Sequence, residues 1–346
     1  MSREGRRIGT PLLVGMAVFG LLWIALITFG QRWNPIAIDF ELFWRAARRP
    51  IDRIYEIGDY FVYPPPAITL IKPLGLITLW PAYFIWISVS AIAFFLAAMR
   101  LTNAKCATLA LFSSSSLQNL IFGQTPMILS AALLFALTLP SLTQGLIIGY
   151  LATVKPQLFM MAPLIMLVRR DWLSLSGMVL GGVGAVVLSV TIYGIQPWHD
   201  WIAVIPSWAQ AQVDLDVLRN SVTLREMGLR FGFHPGILWI AEILGVVFVV
   251  YRLSCKLEGA NLAALIVGAS ALTAPFALPH DLIGAMPALA AFMLSEPGAL
   301  GAVTAAMIFI GLLLPILLPG FALFVAWKSD DRMPSWIPLK VRASLP

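Results

Sequence analysis

The feature that most constrains this chain is a series of long apolar runs that recurs from one end to the other. Most runs are about 15–25 residues long, and about 20 apolar residues let a helix cross a bilayer. They lie near residues 8–30, 64–79, 81–99, 105–121, 125–140, 142–168, 173–193, 236–251, 260–278, 281–295 and 299–327. The pattern predicts an all-α polytopic membrane protein with about 10–12 membrane segments.

Composition and charge agree with a membrane protein. Apolar residues make up 60% of the 346 residues and charged residues 12%, whereas about a quarter of a soluble domain is charged. The mean hydropathy is +0.87. The net charge is +6, and its cations lie mostly at the ends of apolar runs, including Arg169, Arg170, Arg252, Lys256, Lys328 and Lys340. This is the positive-inside pattern, so we expect contacts with membrane lipids and no nucleic-acid partner.

The first run sets the expected topology. Arg3, Arg6 and Arg7 precede it, and at about 22 residues it is longer than the apolar region of a secretory signal. We interpret it as an uncleaved span whose basic end faces the cytoplasm. The two long loops, 31–63 and 194–235, are then extracytoplasmic, within a single membrane domain over residues 1–346. We expect a multi-pass protein of the plasma (inner) membrane.

Residues 64–140 leave two topologies open. If every run crosses fully, Gln124 faces the cytoplasm, while Arg100 and Lys105 lie outside. If 64–79 is a proline-rich half-span, both assignments reverse, which agrees better with the positive-inside rule. Proline within a span is tolerated where protein or a water-filled cavity satisfies the freed backbone groups. The many prolines in these runs therefore indicate a hollowed interior.

The first loop begins with a helical pattern from Asp39 to Pro50. Phe40, Phe43, Trp44 and Ala47 share one face, so we expect an amphipathic helix along the membrane surface. Glu41 is expected to pair with Arg45 at i+4. Asp39 lies at the start of this helix, where it either caps the helix or takes part in chemistry. The residue types alone leave both alternatives open.

Several short motifs follow one another in an ordered way. Asp39-Phe40, Tyr55 and Tyr63-Pro64-Pro65 precede an apolar run, and later come Gly123-Gln124, Lys155-Pro156, Asn220-Ser221, Ala274-Pro275-Phe276 and His280-Asp281-Leu282. Their order over residues 36–295 resembles glycosyltransferase family 87, the polyprenyl-phosphate-mannose-type transferases of the GT-C class. Met127 and Val222 stand where the family pattern has Asn and Gln.

The resemblance implies a GT-C-like helical fold whose active site opens to the extracytoplasmic side, with juxtamembrane helices in both loops. It implies that Asp39 is the catalytic residue. It also implies a polyprenyl-phosphate-linked sugar as donor, a lipid or glycan hydroxyl as acceptor, and a hexose such as mannose as the transferred group.

The expected chemistry needs a general base for the attacking hydroxyl and a cation or hydrogen-bond donors for the departing phosphate. A single displacement inverts the anomeric centre, and no cofactor or metal is required. Candidates for the phosphate are Lys155, Arg225 and His280. Lys155 lies mid-run, where a charge is a functional candidate, although snorkelling to an interface is the alternative. The candidate donor-phosphate or substrate-binding set is completed by Gln124, Asp281, Tyr63 and Asn220.

Other interpretations remain open. Asp281 can cap a helix, and Trp198, Trp201 and Trp208 are typical of an interfacial aromatic belt. A polytopic transporter or flippase for a lipid-linked sugar or other small solute would also have broken spans and charges within the membrane. Transporters usually contain an internal repeat with paired interrupted helices, and this sequence shows none. The chemically rich first loop favours a transferase.

Overall fold

A computed structural model of the chain describes residues 36–56, 61–214, 221–223, 225, 232, 234–296, 298–310 and 317–330. The predicted first span at 8–30 and its arginine cluster lie outside the described residues. Within them, every regular element is helical, which confirms the predicted all-α polytopic class.

The described residues form fifteen α-helices, which are numbered in chain order. They are α1 Ile38–Arg48, α2 Pro66–Ile71, α3 Leu79–Leu101, α4 Ala104–Leu111, α5 Ser114–Phe122, α6 Pro126–Ala136, α7 Ser141–Val154, α8 Ala162–Val168, α9 Trp172–Tyr193, α10 Gln196–Asp214, α11 Pro235–Leu253, α12 Gly259–Thr273, α13 Met286–Ser295, α14 Ala299–Ile310 and α15 Leu317–Asp330. Short 3₁₀ helices cover Ile51–Arg53, Lys72–Leu76, Pro156–Leu158 and Pro279–Ala285.

Three helices in the described part of the chain are long and apolar enough to cross a membrane by themselves, namely α3, α9 and α11. Other apolar runs are interrupted, in one case beside a proline. The run at 105–121 divides into α4 and α5, and the run at 142–168 divides into α7 and α8 at Lys155-Pro156. Each break leaves backbone groups that other elements must satisfy, and the α7–α8 break lines an interior cavity through Lys155, Pro156 and Gln157.

The segment after the first loop is too short for a full crossing. It consists of the 6-residue α2 and the 5-residue 3₁₀ helix Lys72–Leu76, which together reach roughly 20 Å. The hydrocarbon core of a bilayer is about 30 Å thick. The segment therefore has the length of the half-span alternative, while the side on which each loop lies stays a prediction.

Helix α1 has the predicted amphipathic character. Phe40, Phe43, Ala46 and Ala47 are buried, and the indole of Trp44 donates to the Ile77 carbonyl at 2.9 Å. On the outer side, the predicted Arg45–Glu41 pair is present at 2.6 Å. The helix ends before Pro50, which cannot continue it.

Helices α7 and α9 pack with their backbones in close contact. A Cβ at Gly145 would lie 2.0 Å from the Ser174 carbonyl oxygen, and a Cβ at Gly181 would lie 2.1 Å from the Leu146 oxygen. Glycine removes these clashes and permits the close approach that is common in membrane helix pairs. This packing fixes the position of α7, whose C-terminal end carries Lys155.

Helix α12 forms the centre of the bundle, because all its residues from 262 to 271 are buried. It packs against α15 and against the 3₁₀ helix Pro279–Ala285. That short helix is itself buried and carries His280 and Asp281. The core thus places these two polar residues at the inner wall of the interior cavity.

Candidate active site

One interior cavity of about 880 Å³ brings together most of the predicted site residues. Its volume is within the range of about 300–1,000 Å³ that small-molecule sites usually have. It lies between α1, the turn after α5, the α7–α8 break, α10 and the 3₁₀ helix Pro279–Ala285. Of the predicted residues, it is lined by Asp39, Tyr63, Gln124, Lys155, His280 and Asp281.

Asp39 is the second residue of α1 and does not cap it. Ala37 occupies the N-cap position, and no side chain caps this helix end. The cap-only alternative for Asp39 is therefore wrong. Its Oδ2 instead accepts a 2.5 Å hydrogen bond from Nε2 of Gln124. Burial raises the pKa of the Asp39 carboxyl above its ordinary value, and the Gln124 hydrogen bond and the Lys155 charge partly oppose this rise.

Lys155 follows the last residue of α7 and ends within the protein. Its side chain is 6% exposed, and its Nζ donates to Oδ1 of Asp281 at 2.6 Å. Snorkelling to an interface is therefore excluded. The same Nζ lies 5.9 Å from the centre of the Tyr63 ring, a cation–π distance. Lys155 thus brings a compensated positive charge to the cavity wall.

Asp281 caps a helix, as one of the sequence alternatives expected, and it also pairs with Lys155. Its Oδ2 accepts the Leu278 amide at 2.9 Å and caps the 3₁₀ helix, while its Oδ1 binds Lys155. His280 Nε2 lies 3.7 Å from the same Oδ1. The backbone beside them is anchored to α5, since the Asn119 amide donates to the His280 carbonyl at 2.8 Å.

Tyr63 is anchored at both its hydroxyl and its backbone. The hydroxyl hydrogen-bonds to Thr125 Oγ1 at 2.9 Å, and the Tyr63 carbonyl accepts from the Tyr55 hydroxyl at 2.7 Å. The Phe43 ring packs edge-on against it at 5.1 Å. Tyr63 therefore connects the first loop to α6 and presents its ring to Lys155.

Two predicted residues are not brought into this group. Arg225 does not line the cavity, and its guanidinium donates to the Pro275 carbonyl at 2.9 Å. Asn220 lies outside the described residues. Among the residues that are described, His, Cys, Asp and Glu form no group of three or more that could hold a metal ion.

The cavity also contains residues that the sequence analysis did not single out as site residues. Trp201, Ile205 and Trp208 line it from α10, together with Gln118 from α5 and Phe276. The indole of Trp201 donates to the Val62 carbonyl at 2.8 Å. The helical spacing of the three α10 residues marks a common face, but an interfacial belt has the same pattern.

The fold and the site define an all-helical membrane protein with an interior chamber that holds a carboxylate and a buried ion pair. The model of glycosyltransferase family 87 matches residues 61–279, which is more than half of the chain. The chain therefore belongs to glycosyltransferase family 87 and is a membrane glycosyltransferase. The match includes Tyr63, Gln124 and Lys155, whereas Asp39 and Asp281 lie outside it. Comparisons with curated proteins and with solved structures give no match.

Proposed function

We propose that this glycosyltransferase moves a hexose, such as mannose, from a polyprenyl-phosphate donor to a hydroxyl of a lipid or glycan acceptor. The observation that carries the proposal is that Asp39, on α1, and Lys155, at the end of α7, line the same cavity. A base and a cation in one chamber are the two groups that this reaction needs. We further propose that the chamber opens on the extracytoplasmic side of the plasma membrane.

Asp39 is the general base in this mechanism. The acceptor oxygen attacks the anomeric carbon, and its proton passes to the Asp39 carboxylate. The bond from the anomeric carbon to the phosphate oxygen breaks, and its electron pair leaves with the phosphate. Because this is one displacement, the anomeric configuration inverts. General base catalysis of this kind typically contributes about 10²–10⁴-fold.

Lys155 stabilises the departing phosphate. An ammonium group has three N–H donors, and Asp281 accepts one of them at 2.6 Å. In the proposed reaction, phosphate oxygens accept from the ammonium on the side that Asp281 does not occupy. Asp281 holds the lysine in place and balances its positive charge, so that the protein does not contain an isolated buried cation. His280, on the same wall, is a second donor candidate.

The walls of the cavity support a lipid-linked donor over a nucleotide sugar. Trp201, Ile205 and Trp208 give the α10 side an apolar surface that suits the first isoprene units of a carrier chain. A nucleotide sugar would bring a diphosphate and a polar base. Among the described residues, Lys155 is the only Lys or Arg whose side chain lines the cavity.

The test is transfer of radiolabelled hexose in membranes that contain or lack the protein. Polyprenyl-phosphate hexose and the corresponding nucleotide sugar are supplied separately, with the endogenous synthase that interconverts them removed. Covalent product from the lipid donor alone, with inverted anomeric configuration by NMR, supports the proposal. Product from the nucleotide sugar alone contradicts it, and uptake into vesicles without covalent product supports the transporter alternative.

A further inference from the structure

The Asp39 carboxylate has a specific partner in Gln124. The Nε2–Oδ2 distance is 2.5 Å, and no other described residue donates a hydrogen bond to this carboxylate. We propose that Gln124 is the positioning residue of the general base: it fixes Oδ2 and directs Oδ1 toward the acceptor hydroxyl. This inference rests on the proposed function, in which Asp39 is the base.

The backbone around Gln124 is itself held in place. Helix α5 ends at Phe122, and its C-cap Gly123 has a φ of 70° in the left-handed region, which glycine adopts without strain. The backbone N–H of Gln124 donates to the backbone carbonyl of Asn119 at 2.9 Å. The Trp86 indole donates to the Gly123 carbonyl at 3.0 Å. These hydrogen bonds fix the backbone position from which the Gln124 side chain extends.

The end of α5 and the start of α1 form one packed unit. A Cβ at position 123 would lie 2.5 Å from Cβ of Phe40, the residue after Asp39. The Ala37 amide donates to the Ile121 carbonyl at 2.7 Å, and the Tyr83 hydroxyl donates to the Leu120 carbonyl at 2.6 Å. The base and its amide partner therefore lie on two segments that are joined by a backbone hydrogen bond and by close packing.

A neutral amide suits this position for an electrostatic reason. A carboxylate in a buried site needs hydrogen-bond donors to its ionised form. An arginine or lysine in direct contact would satisfy it but would also make it a much weaker base. The Gln124 amide orients the carboxylate and stabilises its charge without neutralising it, while Lys155 remains paired with Asp281.

A role in sugar binding predicts different kinetics. If Gln124 binds a sugar hydroxyl, removing its amide raises KM, with the pH profile unchanged. If it positions Asp39, removing the amide lowers kcat and moves the acid limb of kcat/KM to higher pH, because the ionised base loses its donor. If the amide is purely structural, its removal lowers the melting temperature and leaves the acid limb of kcat/KM in place.

The experiment compares Gln124→Met with Gln144→Met in the full-length protein, using polyprenyl-phosphate hexose as donor. Gln144 is a matched control, since its amide contacts Ser174 at 3.4 Å on the α7–α9 interface away from the cavity. We expect Gln124→Met to lower kcat by about tenfold or more, as a misplaced group does. It should also move the acid limb of kcat/KM to higher pH. Gln144→Met should leave both kcat and the acid limb of kcat/KM at their wild-type values.

Gln124→Glu provides a second readout if the methionine variant does not fold. Its carboxyl keeps the size of the amide and shares a proton with Asp39, so the acid limb should again rise. A wild-type kcat and acid limb in whichever Gln124 variant folds would overturn the positioning role. If Asp39→Asn is fully active, the proposed base itself fails, whatever Gln124 does. Loss of activity in Asp39→Asn with normal Gln124 variants refutes only this inference.

Discussion

Lys155 and Asp281 form a buried ion pair, with 2.6 Å between Nζ and Oδ1, across 126 positions of sequence. The pair joins the α7–α8 break to the short helix beside α12 and forms one wall of the cavity. Removing one partner from such a pair usually costs about 3–5 kcal/mol, because the other charge is left buried and unpaired. A single substitution therefore mixes loss of folding with loss of chemistry.

Neutralising both residues separates the two effects. The double variant Lys155→Met and Asp281→Asn removes both charges, while Asn can still accept the Leu278 amide. We expect a melting temperature in detergent closer to wild type than that of Lys155→Met alone, together with a loss of transfer of about 10²-fold or more. Normal turnover in the stable double variant would show that the pair is structural only.

The close packing of α7 and α9 predicts different effects for two glycines of one helix. A Cβ at Gly181 meets backbone at 2.1 Å, whereas a Cβ at Gly184 has nothing within 4 Å. Gly181→Ala should lower the free energy of unfolding by about 1–3 kcal/mol through overpacking. Gly184→Ala should be neutral or slightly stabilising, since alanine favours helix more than glycine. Thermal unfolding in detergent checks this, and equal melting temperatures would contradict the packing.

The expected sidedness can be tested with cysteines at exposed positions. Glu56 in the first loop and His199 on α10 should both be extracytoplasmic, whereas the exposed native Cys255 should be cytoplasmic. Each is studied as the single cysteine: Cys106 is replaced by Ala throughout, and Cys255 is also replaced by Ala in the variants at positions 56 and 199. A membrane-impermeant maleimide should label positions 56 and 199 in intact spheroplasts, and Cys255 only after permeabilisation. The reverse pattern would place the chamber on the cytoplasmic side.

Local patterns in the sequence were sufficient for several parts of the fold. The helical spacing of apolar residues predicted the buried face of α1. The i+4 spacing predicted the Glu41–Arg45 pair, and Pro156 predicted the break at Lys155. These features depend on neighbours within a turn or two of helix. The family resemblance, which depended on ordered motifs, is confirmed by the match over residues 61–279.

Long-range contacts were beyond the reach of those patterns. Residue types left the cap alternative for Asp39 open, and the structure excludes it because Ala37 occupies the N-cap position with a φ of 63°. The partners of Asp39 and Lys155 lie 85 and 126 positions away, and no periodicity records such pairs. Trp201 and Trp208 line the cavity, which their helical spacing did not predict, because spacing defines a common face but not what that face contacts.

The pH dependence of transfer follows from the burial of Asp39. A general base must be ionised, and burial raises the pKa of this carboxyl above its ordinary value. The value of kcat/KM should therefore fall as the pH is lowered through a pKa above that of an ordinary aspartate. In Asp39→Glu, which displaces the carboxyl by a methylene, activity should be intermediate and the acid limb should shift. An unchanged limb would assign the titration to another group.

The most direct test of the account is hexose transfer by Asp39→Asn at matched protein levels. Asn keeps the size of Asp and an oxygen that can accept from Gln124, so the packing of α1 on α5 should remain, as a near-wild-type melting temperature would show. The amide cannot take the acceptor's proton at neutral pH. We predict that transfer falls by about 10²-fold or more. Transfer at the wild-type rate by the folded Asn variant would contradict the assignment of Asp39 as the base.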